Sequence, residues 1–302
     1  MSLHSWRLTD VENDVYVEQL CVGPRDVGGC GSPFSVRKRR LRGGLRDGVD
    51  VVEIDGSGLC AIPGLVDCHT HLCFAGDRVG EFALRARGAS YEELHAAGAG
   101  ILSTVRATRA AGEEALAATT ARHASWLLRH GTTTFEGKSG YGLDRETELA
   151  QLRAVRAAGG IPTWLGAHTV PPEHAGADAY VEFLIAEVLP AAADIAEAAD
   201  VFLERGAFDL HQARRYLEAC QAAGLTLRLH GDQFTEAGAI PLAVELEARS
   251  VDHLEATGAG GIERAEVHVA RRDDHAQGHR LPGLQGHRDP LDIVAEDRLG
   301  AR

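Results

Sequence analysis

Between about residue 60 and residue 254, short apolar runs that end in polar residues alternate with longer segments of helical period. Such a chain builds βα units around a parallel sheet, because strands buried under helices on both faces read as nearly unbroken apolar runs. The expected strands are Ile62–Asp67, Thr132–Glu136, Thr163–Ala167, Asp200–Glu204, Thr226–Leu229 and Ser250–Asp252. The expected helices are Glu113–His130, stopped by Gly131, then Arg145–Ala158, capped by Asp144, and Asp178–Ala199. A further helix opens on the capping box Asp209-x-x-Gln212 and ends at Gly224. The result is an α/β chain of about six βα units, where a closed (β/α)₈ barrel needs eight and typically ~250 residues.

The two ends do not share this pattern. Residues Val22–Asp50 are rich in Gly and Arg, and strand character resumes only at Val51-Val52-Glu53-Ile54-Asp55. Residues Ala265–Arg302 contain no Ser, Thr, Lys, Asn, Cys, Met, Phe, Trp or Tyr and show neither the strand period nor the helix period. The expected organisation is a small β-rich, partly irregular N-terminal segment over 1–60, a barrel over 61–262 and an irregular C-terminal tail over 263–302. Only Lys38 and Lys138 are lysines among 31 basic residues, as GC-rich coding produces. A frameshifted reading of such a gene would yield the alphabet of the tail.

Composition narrows the function classes. The 302 residues are 44% hydrophobic, enough for a sizeable core, and carry a formal charge of -13. That charge argues against nucleic acid and anionic membrane as partners, and the basic run Arg37-Lys38-Arg39-Arg40 reads as a solvated segment. No apolar stretch reaches the ~18 residues of a transmembrane helix, and the first residues lack an apolar signal core, so a cytoplasmic protein is expected. Cys21, Cys30, Cys60, Cys68, Cys73 and Cys220 form no C-x-x-C pair, which leaves free thiols rather than a zinc knuckle or redox motif.

The chemistry concentrates at strand ends. Pro63-Gly64-Leu65-Val66-Asp67-Cys68-His69-Thr70-His71 ends an apolar strand on two histidines one residue apart. Alternate side chains of an extended segment point the same way, so His69 and His71 can reach one ion, and neutral imidazoles suit zinc or iron. His168, His230 and His253 each follow a later strand. One such histidine is as easily a packed core residue, but barrel enzymes draw their catalytic groups from the C-terminal ends of several strands.

These residues carry a resemblance. The P-G-L-V-D-x-H-x-H start resembles the amidohydrolase superfamily. Phe74-Ala75-Gly76-Asp77-Arg78, Glu136-Gly137-Lys138-Ser139-Gly140-Tyr141-Gly142-Leu143, Gly166-Ala167-His168 and Asp252-His253-Leu254 resemble the imidazolonepropionases. The likeness covers roughly residues 51–262. It implies an amidohydrolase-type TIM barrel, here incomplete, and hydrolysis of 4-imidazolone-5-propanoate to N-formimino-L-glutamate in histidine degradation. It also implies one Zn or Fe ion and a homodimer. Carried over by motif, His69, His71 and His230 are the metal ligands. Arg78, Tyr141, His168 and Gln233 bind substrate, Arg78 through the propanoate carboxylate, and His253 helps to activate water. Gln233 stands where some members have glutamate, and an amide cannot take a proton. The family's further aspartate ligand, from a Thr-Asp-x-Asn-Pro-Gly-type segment, has no counterpart. Asp273, Asp274, Asp289, Asp292 and Asp297 all fall in the irregular tail and are not assigned.

Glu204 reads as a neighbour of the site rather than a second-metal ligand, and Lys138 as a structural ammonium for Glu136 or a loop carbonyl. Two rivals remain: another amidohydrolase, such as a deaminase of heterocyclic substrates, and a catalytically inactive remnant that binds metal or ligand without turnover.

Overall fold

The structure, a computed structural model, describes residues 59–88 and 100–265 together with three short strands near the N-terminus. Expectations for the rest of 1–58 and for 266–302 lie outside the described residues. The chain divides into two compact units, Met1–Cys68 with Arg122–Phe135, and His69–Ala121 with Glu136–Arg302.

In the first unit, β1 (Asp10–Val11) pairs antiparallel with β2 (Asp14–Val15), and β3 (Leu20–Pro24) with β4 (Leu59–Pro63). β5 (Leu65–Asp67) runs parallel to the first part of β6 (Thr132–Lys138). The single strand expected over Ile62–Asp67 is therefore two, broken at Gly64. Pro63 has no N–H to continue a ladder, and a side chain at Gly64 would run into Thr133.

The second unit holds the rest of β6, then β7 (Ile161–Ala167), β8 (Ala198–Leu203), β9 (Thr226–Gly231) and β10 (Ser250–His253). Each is parallel to the next. The hydrogen-bonded order β5-β6-β7-β8-β9-β10 follows the chain without a reversal. That winding is the barrel's, whereas a doubly wound sheet reverses its strand order partway. The six parallel strands among the described residues are the α/β pattern of an incomplete (β/α)₈ barrel. β7 and β8 are buried almost throughout, which is why they read as apolar runs.

The helices are α1 (Val79–Ala86), α2 (Ile101–Arg129), α3 (Arg145–Ala157), α4 (Ala177–Phe183), α5 (Leu189–Ala192), α6 (Leu210–Ala222) and α7 (Ala239–Glu245). α2 begins twelve residues before the expected Glu113 and is broken at Gly112, whose φ is 76°. The helix expected over Asp178–Ala199 is interrupted. A π-turn over Leu184–Val188 separates α4 from α5, and Pro190 in the first turn of α5 cannot donate the backbone bond a continuous helix needs. Ala198 and Ala199 already belong to β8, buried where the helix-favouring composition suggested a helix end. None of the described helices is long and apolar enough to cross a membrane.

The core of the second unit packs Trp164, Tyr180, Tyr216, Leu152, Leu184 and Phe208 between strands and helices. Its two tyrosines keep their hydroxyls paired: Tyr180 donates to the Gly166 carbonyl at 2.9 Å and Tyr216 to that of Trp164 at 3.4 Å. The capping box of α6 forms as its residues imply. Asp209 Oδ1 accepts from Gln212 N at 2.8 Å, and Gln212 Oε1 accepts from Asp209 N at 3.0 Å. Asp209→Ala should cost about 1 kcal/mol of unfolding free energy, measured by urea denaturation, with no change in metal content.

Candidate metal centre

The H-x-H pair leaves β5 in extended chain, and the second unit gathers both rings beside those of β9 and β10. His69 and His230 have ring centroids 4.5 Å apart, and His71 lies 5.2 Å from each of them. The Nε2 atoms of His71 and His230 meet at 3.1 Å. His253 adds a fourth ring, 5.1 Å from His230 and 5.4 Å from His69, and His69, His230 and His253 each offer a nitrogen within 4.8 Å of the others. His168 stacks on His71 at 5.3 Å, and Tyr141 lies 5.4 Å from His168. The histidines expected from the sequence thus come together, and His253, expected to serve water, is also within ligand spacing.

The backbone at this point is strained. His253 and Leu254 both have positive φ, 80° and 67°, a conformation that costs non-glycine residues about 1–3 kcal/mol each. Hydrogen bonds from Leu254 N to the Gly231 carbonyl and from Ala256 N to that of Asp232 hold the turn. Gly231, next to His230, packs so close to Ala239 that no side chain would fit there.

Beneath the rings lies a group that the sequence reading only partly saw. Asp200 on β8 accepts from His230 twice, Oδ1 from the backbone N and Oδ2 from Nδ1, each at 3.0 Å. Asp252 Oδ2 on β10 lies 2.7 Å from His69 Nδ1. With Nδ1 of both rings committed to carboxylates, their Nε2 lone pairs are directed away from those carboxylates, the carboxylate–histidine arrangement that fixes metal ligands. The donor set fits a zinc or iron ion: imidazole nitrogens, two of them oriented, with room for His71 or His253 to complete the ligation.

Between the carboxylates sits Lys138, fully buried at the end of β6, with Nζ 2.7 Å from Asp200, 2.8 Å from Glu136 and 3.4 Å from Asp252. The Glu136 pairing matches the expectation, and the two aspartates were missed. The signal for Asp200 was a charged residue inside the apolar run Ala198-Ala199-Asp200-Val201-Phe202-Leu203.

Burial favours the neutral imidazole at His71, His168 and His230. Burial, reinforced by His230 and His168, holds His71 well below its ordinary pKa, and burial also lowers His230 despite Asp200. His168 is pushed down to about 4, first by burial and then by His230. Against the upward push of burial, His230 and Lys138 hold the Asp200 carboxyl well below the usual range.

The remaining expected residues divide. Arg78 and Tyr141 line one cavity of about 270 Å³ with His71, Phe74, Asp77 and Thr104. The Arg78 guanidinium pairs with Glu81, Nη2 at 2.8 Å and Nε at 2.9 Å, so a carboxylate ligand would compete with that partner. Gln233 is half-buried and makes no hydrogen bond to the cluster. Glu204 is spent on the loop that follows β9, accepting from Phe234 N, Thr235 N and the Thr235 hydroxyl. It borders a separate cavity of about 540 Å³ with Phe208 and Leu210, which no histidine of the cluster lines. Tyr141 is held by the turn Gly140–Leu143, whose backbone N–H groups at Gly140, Gly142 and Leu143 all bond the buried Glu148. Gly140 has φ 99°, and a side chain there would come within 2.8 Å of the Leu165 carbonyl.

No family model matches the chain. Among curated proteins, an imidazolonepropionase of Rubrobacter xylanophilus is 68% identical over 215 residues, 69% of this chain and 52% of that protein. An imidazolonepropionase of Herpetosiphon aurantiacus is 50% identical over 220 residues, and one of Solibacter usitatus 47% over 230. The chain spans about half the length of the curated relatives it matches. Among solved structures, an adenine deaminase from Arthrobacter aurescens aligns with a TM-score of 0.44 at 16% identity, over 71% of this chain and 70% of that one. Ochratoxinase of A. niger aligns with a TM-score of 0.42 at 14% identity, over 73% and 55%.

The buried histidines make acid stability a direct readout. His168 stays unprotonated in the folded state down to about pH 4, while in the unfolded chain it titrates near 6.5. Across that window the unfolded state binds the extra proton, so stability of the metal-free protein should fall as pH drops from about 6.5 to about 4. Thermal melts of His168→Gln should show a shallower fall.

Proposed function

We propose that this chain, similar to imidazolonepropionases over 215 to 230 residues, hydrolyses the cyclic amide of 4-imidazolone-5-propanoate to N-formimino-L-glutamate with one zinc or iron ion. The observation that carries the reading is the meeting of His69, His71 and His230, two of them oriented by buried aspartates, beside a cavity that Tyr141 and Arg78 line. The names of the relatives support the substrate. With it go a small-molecule partner, a homodimer and a cytoplasmic place of action.

When bound, the ion supplies Lewis-acid polarisation of the ring carbonyl and of water. His69, His71 and His230 hold it, and Asp252 and Asp200 keep two of those rings in their ligating tautomer. His168 and Tyr141, whose ring centroids lie 5.4 Å apart, together offer one wall to the ring of the substrate. Arg78 exchanges Glu81 for the propanoate carboxylate, a planar fork meeting a planar acceptor. Gln233 orients substrate from the β9 exit. Water adds its oxygen to the carbonyl carbon, the amide C–N bond breaks, and the ring nitrogen leaves with a proton. His253 accepts the proton that water gives up.

Purified full-length chain supplied with Zn²⁺ or Fe²⁺ should consume imidazolonepropanoate, and chelation should stop it. Metal retention with no turnover, or turnover of a heterocyclic amine alone, would contradict the reading. Loss of one charge-assisted contact costs about 1.5–3 kcal/mol. Arg78→Gln should therefore raise KM roughly ten- to a hundredfold with kcat little changed.

A further inference from the structure

One buried ammonium lies among three buried carboxylates directly under a cluster of metal-binding imidazoles. Lys138 Nζ is within 3.4 Å of oxygens from Glu136, Asp200 and Asp252, which come from three different strands. All four side chains are essentially shut off from solvent. The only other cation at this point among the described residues is Arg228, whose Nε pairs with Glu136 Oε1 at 3.0 Å. Three carboxylates facing two cations leave one negative charge, which the Nδ1–H groups of His69 and His230 solvate. Without Lys138 two negative charges would remain, the deficit a divalent ion fills.

The positions suit such an ion. Asp200, His230 and Asp252 each present a ligand atom within 4.8 Å of the others, a second grouping that shares only His230 with that of His69, His230 and His253. Glu136 Oε2 adds a further oxygen on the lysine side. The oxygens stand 2.7, 2.8 and 3.4 Å from Nζ; a contraction of a few tenths of an ångström at Asp200 and Glu136, and of about 1 Å at Asp252, brings them to the ~2.0–2.6 Å at which hard cations take oxygen ligands. A set of carboxylates selects hard ions such as Mn²⁺, whereas the imidazoles above select zinc or iron.

We infer that the Lys138 ammonium occupies a latent second cation site, walled by Glu136, Asp200 and Asp252, and so restricts the centre to a single metal ion. The inference rests on the metal centre of the proposed function but not on its substrate. In this role Lys138 is a positioning residue: it neutralises the two carboxylates that orient His230 and His69 without itself ligating the ion.

The test is metal stoichiometry, which needs no turnover. Full-length wild type and Lys138→Ala are loaded with Zn²⁺, and free Mn²⁺ is then followed by electron paramagnetic resonance during titration. Lys138→Ala should take up about one additional Mn²⁺ per chain and wild type none. Adding Glu136→Gln, a residue that touches no histidine of the centre, should abolish the extra uptake. Should Lys138→Ala fold only when Mn²⁺ is present, that rescue would equally support a cation site. Equal Mn²⁺ uptake by wild type and Lys138→Ala, or a Lys138→Ala chain that stays unfolded with and without Mn²⁺, would overturn the inference. Failure of imidazolonepropanoate hydrolysis alone would leave it standing.

Discussion

A lysine buried without partners would shed its proton, and an aspartate buried without partners would take one up. Here neither happens, because Lys138 is placed where Asp200, Glu136 and Asp252 can share it, and those carboxylates hold the ammonium above its usual range despite burial. The consequences reach upward. Asp200 spends its remaining capacity on both nitrogens it can reach in His230, and Asp252 spends its own on His69. The directions of two imidazoles are therefore set by an ion network and not by ring packing alone. Breaking a buried pair by removing one partner typically costs about 3–5 kcal/mol, a large share of the about 5–15 kcal/mol that holds a domain folded. That cost is set against what the network does, which is to fix the rings of His230 and His69.

A second buried carboxylate does for the turn that carries Tyr141 what the network does for the imidazoles. Among the described residues Glu148 pairs with no cation. It is satisfied by the N–H groups of Gly140, Gly142 and Leu143, and burial raises its pKa. The turn that carries Tyr141 is wrapped around this one side chain from the first turn of α3. Asp144, which caps that helix by accepting from Thr147 N at 2.7 Å, joins the same turn to the helix start. Tyr141 and Lys138 thus belong to one short segment whose two ends are pinned by different carboxylates.

How much of this was legible follows from the range of each interaction. The βα alternation, the cap at Asp144 and the capping box at Asp209 are local, and the sequence displays them. Histidines at strand ends are legible once the strands are placed, because position along a strand determines which end a residue occupies. Interruptions were harder to read. Gly112, Pro190 and Gly64 act through backbone geometry that a hydrophobic period averages away. The ion network was the least legible part. A lone charge in an apolar run marks Asp200, and Asp252 sits inside the motif Asp252-His253-Leu254, but the partners of both exist only because one parallel sheet carries β6, β8, β9 and β10. Arg78 shows the converse: its motif suggested a ligand contact, and the fold supplies Glu81 three residues on as its present partner.

The account turns on one geometric claim, that imidazoles carried by separate strands converge on a single ion whose ligands are aimed by the lysine-held aspartates. Anomalous diffraction at the zinc edge from crystals of the zinc-loaded chain tests it most directly. The account predicts one strong peak within bonding distance of His230 Nε2 and His69 Nε2, with Lys138 Nζ still on Asp200. Two peaks, or a peak outside the histidine cluster, would contradict it.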